Sequence, residues 1–209
     1  MLRYFAFFVL FTSLAGAACK LPSKQQVADT TATPPPTATP FPTASPAVPD
    51  ATPEESAGMS ATLACQSISV PGRKVYRKQT FAVDFEPFRS SCFVSSYDPE
   101  FGDDPPLQSE YSLYKNGKRV FEFPDQFNGV NFGCWVDAVS FQDLNGDRRN
   151  DVIVIGKCSG KSGTFNENSV YLNDGSGFTT RADANTALGE FGSVRQVVDF
   201  VRENRSMFF

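Results

Sequence analysis

Between residues 143 and 151, side chains carrying oxygen recur at alternate positions: Asp143, Asn145, Asp147 and, after Arg149, Asp151. Three carboxylates this close together repel one another unless a cation lies among them. Calcium is a hard cation that takes six to eight oxygens at about 2.3–2.6 Å, and a tight loop can supply them from alternate positions with a backbone carbonyl filling in. Counted from Asp143, positions 1, 3, 5 and 9 are Asp143, Asn145, Asp147 and Asp151, and the Arg149 carbonyl is the expected position-7 ligand. The spacing therefore predicts one Ca2+ site. It is not a helix–loop–helix EF-hand, because that loop closes on a Glu at position 12, where this chain has Val154. Arg148 stands at position 6, where a Gly usually eases the turn. The plainer alternative is an Asp/Asn-rich hairpin turn without an ion.

Apolar stretches flank this loop and must position it. Val136 to Phe141 precedes it and Val152-Ile153-Val154-Ile155 follows, which makes a strand–Ca loop–strand element. Val75–Phe85 and Ser91–Tyr97 are further candidate strands. Tyr111 to Phe123 holds two alternating arms around Asn116-Gly117, a pair that supplies the positive φ angles of a type I′ hairpin turn. Cys134–Phe141, Asp151–Gly156 and Val170-Tyr171-Leu172 complete the strands, the last closed by the turn Asn173–Gly177 with Phe178 re-entering the core. The period then changes. Val194, Val197, Val198 and Val201 recur at helical spacing behind Ser193, a candidate N-cap, and a shorter helical turn is expected near Asp183–Leu188. The fold class is α+β: a mainly antiparallel β-sheet with the loop-bearing hairpin and a C-terminal helix against it.

The run Phe141-Gln142-Asp143-Leu144-Asn145-Gly146-Asp147 to Asp151-Val152-Ile153-Val154, with Val170–Phe178 downstream, resembles the calcium-loop units of FG-GAP/VCBS-type proteins. In that family the loop joins two strands of a propeller blade. The resemblance covers about 40 residues and implies a metal more than a function. It departs in number, since one such loop is present and about 150 residues cannot build several full blades. It therefore implies a compact bacterial envelope relative with a single loop retained.

Five cysteines are present. Cys65, Cys92, Cys134 and Cys158 allow three pairings. Cys134 and Cys158 flank the acidic loop on strands that should pair, so a bridge between them would staple the hairpin and leave Cys65 to Cys92. Zinc is disfavoured by the wide spacing and the lack of a CxxC pair. The chain has no histidine, which removes His-based triads, Cys–His nucleophiles and His-ligated catalytic zinc. Acid–base chemistry would fall to carboxylates such as Glu122, Asp125 and Asp137, whose spacing does not set them apart from surface charges. Gly160-Lys161-Ser162 lacks the upstream Gly of a phosphate loop, since position 155 is Ile155. Ser159–Asn168 reads as a flexible loop beside the metal hairpin, or as a recognition loop.

The N-terminal residues carry an address. Met1-Leu2-Arg3, an apolar run from Tyr4 to Leu14 and small residues to Ala18 describe a secretory signal peptide over 1–18. Leu14-Ala15-Gly16-Ala17-Ala18-Cys19 resembles a bacterial lipobox, with Gly16 where Leu is typical; the resemblance makes Cys19 a lipid anchor. Cleavage after Ala17 also fits the residues, and would give a periplasmic or secreted protein. Lipid on Cys19 leaves an even four cysteines for disulfides. Residues 20–60, rich in Pro, Thr and Ala, read as a disordered linker ahead of a β-rich calcium-binding domain at 61–209.

The net charge of −4 is mild, and the small cluster Arg73, Lys74, Arg77 and Lys78 reads as a solvated face, so no nucleic-acid partner is expected. The resulting expectation is an exported, non-catalytic, Ca2+-binding module at the cell envelope. It would meet a protein or a cell-wall glycan and touch the membrane through its N-terminal anchor alone. The alternative is a carboxylate-dependent glycoside hydrolase acting on envelope polysaccharide.

Overall fold

Val152, Ile153, Val154 and Ile155 are all fully buried, although alternate residues of a strand point to opposite faces. A strand of this kind must be covered on both sides. The computed structural model, which describes residues 53–209, shows what covers it.

The described chain opens with helix α1 (Pro53–Gln66). A first antiparallel sheet follows, made of β1 (Lys74–Val75), β2 (Phe81–Val83), β3 (Ser91–Tyr97), β4 (Glu110–Lys115) and β5 (Lys118–Glu122). Both β1 and β2 pair with β3, which pairs with β4, and β4 with β5. The second antiparallel sheet holds β6 (Cys134–Gln142), β7 (Asp151–Gly160), β8 (Gly163–Asn166), β9 (Ser169–Asn173) and β10 (Phe178–Thr180). Its order is β10-β9-β7-β6, with β8 also on β7. Helices α2 (Ala182–Asn185), α3 (Val194–Glu203) and α4 (Arg205–Phe208) complete the chain.

One core lies between the sheets. Phe93, Tyr111, Leu113 and Phe123 from the first meet Val136, Val152, Val154, Tyr171 and Phe178 from the second. Its aromatic rings interlock; the Phe123 and Tyr171 centroids lie 4.8 Å apart, edge to face. Such pairs contribute about 0.5–1.5 kcal/mol beyond the area they bury. The second core lies on the opposite face of the second sheet. There Ile153, Ile155 and Val170 pack with Leu188, Val197, Val198 and Val201. The apolar run in β7 is thus explained: its even-numbered residues face the first sheet and its odd-numbered residues face the helices.

Fold class and several elements match the sequence expectation: β3 keeps the bounds Ser91–Tyr97, and Asn116 and Gly117 turn at φ 51° and 73° between β4 and β5. Ser193 caps α3 by accepting the Gln196 N–H. Four details differ. There are two sheets among the described residues, not one. The expected strand Val75–Phe85 is broken by a 3-10 turn at Arg77–Gln79. Ser159–Asn168 is not a loop, because β7 continues to Gly160 and pairs with β8. Helix α1 also starts at Pro53, within the expected 20–60 linker. Cys65 ties α1 to β3 through Cys92, and Cys134 is joined to Cys158. The expected signal peptide, Cys19 and residues 20–52 of the linker lie outside the described residues. Among the described residues, no helix is long and apolar enough to cross a membrane.

Candidate functional site

The acidic loop is the turn of the β6–β7 hairpin, whose register runs from Cys134 opposite Cys158 to Gln142 opposite Asp151. Its chain reversal needs left-handed backbone at two points, Gly146 at φ 87° and Arg148 at φ 67°. Arg148 thus adopts the conformation that a Gly at its position would take freely. The acidic side chains hold this turn. Asp143 accepts the Gly146 N–H at 2.6 Å and the Arg148 N–H at 2.9 Å, Asn145 the Asp147 N–H at 2.9 Å, and Asp147 the Arg149 N–H at 2.8 Å. Desolvation raises the Asp143 pKa, but the N–H groups of Arg148, Gly146, Asp147 and Asn145 together outweigh it and hold the carboxyl below its ordinary value.

Asp151 differs from the others. It is 0 % exposed, and its two oxygens accept the Leu144 N–H and the Asn173 N–H, each at 2.9 Å. Burial pushes its pKa up against these two bonds, and the charges of Asp147 and Asp143 push it further in the same direction. Asp151 therefore ties the loop to the turn after β9. That turn is built the same way, with the Asp174 carboxylate accepting the Ser176 and Gly177 N–H groups. The Arg149 guanidinium lies against Gly175, where a Cβ would stand 3.2 Å from its carbon, and reaches Asp147 at 3.4 Å. From the C-terminal side, Arg205 donates to the Asn145 carbonyl at 2.7 Å, while Leu144 is buried in the helical core.

The five expected ligand residues, Asp143, Asn145, Asp147, Arg149 and Asp151, thus share one loop, and their donors are of the hard-oxygen type that calcium takes. Among the described residues, no group of three or more His, Cys, Asp or Glu side chains converges to hold a metal. The loop carboxylates and Asn145 turn to backbone N–H groups instead. The donor set and backbone reversal fit a cation, and the carboxylates retain further lone pairs for one.

A second feature had no distinguishing signal in the sequence. A cleft of about 850 Å3 opens beside the first sheet, lined among others by Arg73, Gln108, Glu110, Glu122, Asp125 and Asn131. Glu122 and Asp125, two of the candidate carboxylates, are brought together there. Asp137 takes another role: it sits at an irregularity in the β6–β7 register and pairs with Lys157 at 2.9 Å. Arg73 is not part of a free basic face. It donates to the Ser96 hydroxyl at 3.1 Å and to the Gln108 carbonyl, and pairs with Glu110 at 3.3 Å. The cleft unites residues from five separate stretches of chain, so no local motif marks it.

No family model matches the chain, and neither a curated protein nor a solved structure matches it. Its function is therefore argued from its own residues.

Proposed function

We propose that the chain is an exported, lipid-anchored, non-catalytic module of the cell envelope whose β6–β7 loop binds one Ca2+. Under this reading it is a single-loop relative of FG-GAP/VCBS-type proteins. Asp143, Asn145, Asp147 and Asp151 would hold the ion with the Arg149 carbonyl, and Cys19 would carry the lipid. The partner would be an envelope protein or a cell-wall glycan. The observation that carries the reading is Asp151, a fully buried carboxylate whose hydrogen-bond partners are neutral N–H groups and which the charges of Asp147 and Asp143 disfavour further. Burying an anion without a counter-charge is costly, and a cation at the loop would offset that cost. It would also brace the turn that Arg205 and Asn173 contact.

Calorimetry and thermal melting of the full chain with added Ca2+, beside Asp147→Ala, test this. Saturable binding and a raised Tm, both lost in the variant, are expected; a ligand at 100 times its Kd should stabilise by about 2.7 kcal/mol. No heat and no shift up to millimolar Ca2+ would reduce the loop to an ion-free turn.

The cleft supports a second reading, a carboxylate-dependent glycoside hydrolase using Glu122 and Asp125. Its test is release of reducing ends from envelope polysaccharide, abolished by Glu122→Gln.

A further inference from the structure

The cleft beside the first sheet is built by backbone that other parts of the molecule hold in an unfavourable conformation. Gln108, Asp125 and Phe127 all line it, and all are non-glycine residues in left-handed conformation, at φ 55°, 45° and 50°. Such residues persist where their surroundings over-determine them, and they gather at ligand sites. The surroundings here are explicit. Gln126 uses both ends of its amide on Tyr111, accepting its N–H and donating to its carbonyl, each at 2.9 Å. It thereby continues the β4 ladder past the last paired residue of β5. The Gln108 side chain accepts the Gly133 N–H at 3.3 Å, and its carbonyl takes the Arg73 guanidinium. The Phe127 ring is buried in the inter-sheet core.

Two further properties narrow the occupant. The lining includes the carboxylates Asp98, Glu110, Glu122 and Asp125; Glu110 pairs with Arg73 at 3.3 Å and Glu122 with Arg119 at 3.0 Å, and the remaining acidic excess of Asp98 and Asp125 disfavours an anionic ligand. Next in the chain to the lining residue Asn131 is Phe132, which is 66 % exposed and packs edge to face on Phe101, itself 45 % exposed, at 6.0 Å between centroids. Two large aromatic rings in water beside a groove of carboxylate and amide acceptors match a sugar ring. A pyranose has an apolar C–H face for the aromatic pair and hydroxyl donors for the acceptors. A basic peptide would satisfy the charge but would leave the Asn131 amide without a specific task.

We propose that this cleft is a binding site for an uncharged glycan strand, seated on the Phe101–Phe132 pair and hydrogen-bonded by Glu122, Asp125 and Asn131. This rests on the non-catalytic reading above and names the glycan as the partner; it does not depend on Ca2+ at the distant β6–β7 loop.

The test is binding of the full chain, followed by calorimetry, to three probes: an N-acetylglucosamine hexamer, a glucose hexamer and hexalysine. Saturable binding of at least one sugar is expected, weakened tenfold or more by Phe132→Ala and by Glu122→Gln/Asp125→Asn. Asp147→Ala should leave it unchanged. All four substitutions are at exposed positions, and circular dichroism would confirm that the variants fold. Binding of hexalysine alone, of neither sugar, or of a sugar with the cleft variants unimpaired would each overturn the proposal. Shortened hexamers in the recovered mixture would keep the glycan in the cleft and sink the non-catalytic reading. Loss of Ca2+ binding alone would count against the metal loop and leave the cleft standing.

Discussion

Arg148 shows how one side chain can be at odds with its backbone. Its φ of 67° is a conformation that costs an L-residue about 1–2 kcal/mol, whereas Gly adopts it without a Cβ penalty. Gly also loses more entropy on folding, by about 0.5–1 kcal/mol, so the two effects partly cancel. Arg148→Gly is therefore expected to stabilise the fold by about 0.5–1 kcal/mol. The measurement is urea denaturation, in which the midpoint should rise at unchanged slope. Under the proposed Ca2+ reading, affinity should hold or tighten, because the backbone reversal survives with less strain. Arg148 could be read in the sequence as a departure from Gly; that it keeps the left-handed turn is a property of the closed hairpin.

At the scale of elements, β7 is the member on which most of the structure rests, since it pairs with β6, β8 and β9. Its Gly156 marks the place where a neighbouring segment comes closest. A Cβ there would stand 2.6 Å from the Phe127 ring and closer still to the Glu167 carbonyl. Neither can retreat easily: Phe127 is in the inter-sheet core, and Glu167 donates its own N–H to the Gly156 carbonyl at 2.9 Å. Gly156→Ala is expected to cost about 3 kcal/mol, the upper end for overpacking, read as a lowered denaturation midpoint. It should also loosen the cleft, because Phe127 lines that too. The position of β7 was legible as an apolar run. What covers each of its faces was not, because a run of four apolar residues signals burial without naming the partner on either side.

Two features act at the scale of the molecule. The Tyr111 and Tyr171 hydroxyls meet at 2.6 Å between the two sheets, both rings buried. Burial pushes the Tyr111 pKa up to about 12, and Tyr171 well above its ordinary value. With folded pKa values raised above the unfolded ones, the contribution of these groups to stability is intact below about pH 10. It is lost as the pH rises toward 12 and beyond, because the unfolded chain releases those protons first. Ultraviolet titration should therefore find Tyr111 and Tyr171 ionising only as the fold is lost in alkali. Ionisation of every tyrosine while the fold is intact would exclude the buried pair. The second feature is the Cys65–Cys92 bridge, which spans 27 residues and fastens α1 to β3. Loop-closure entropy assigns such a bridge about 3.5 kcal/mol. The Cys65→Ser/Cys92→Ser variant is expected to lose about that much and to lose hydrogen-exchange protection in α1 first, since Cys65 is the buried end of that helix.

Much of this protein was settled by local sequence. The β4–β5 turn followed from Asn116-Gly117, α3 from valines at helical spacing behind Ser193, and the acidic loop from oxygens at alternate positions. Each is a short-range pattern, in which neighbouring residues carry the physical cause. Even the Cys134–Cys158 pairing followed from one hairpin's register. Tertiary structure alone decided the rest. It divided the strands between two sheets, buried Asp151 under the turn after β9, and gathered Arg73, Gln108, Glu122, Asp125 and Asn131 around one cleft. Those outcomes depend on which apolar faces find each other across long stretches of chain, and side-chain burial is a property of that packing that residue spacing does not encode.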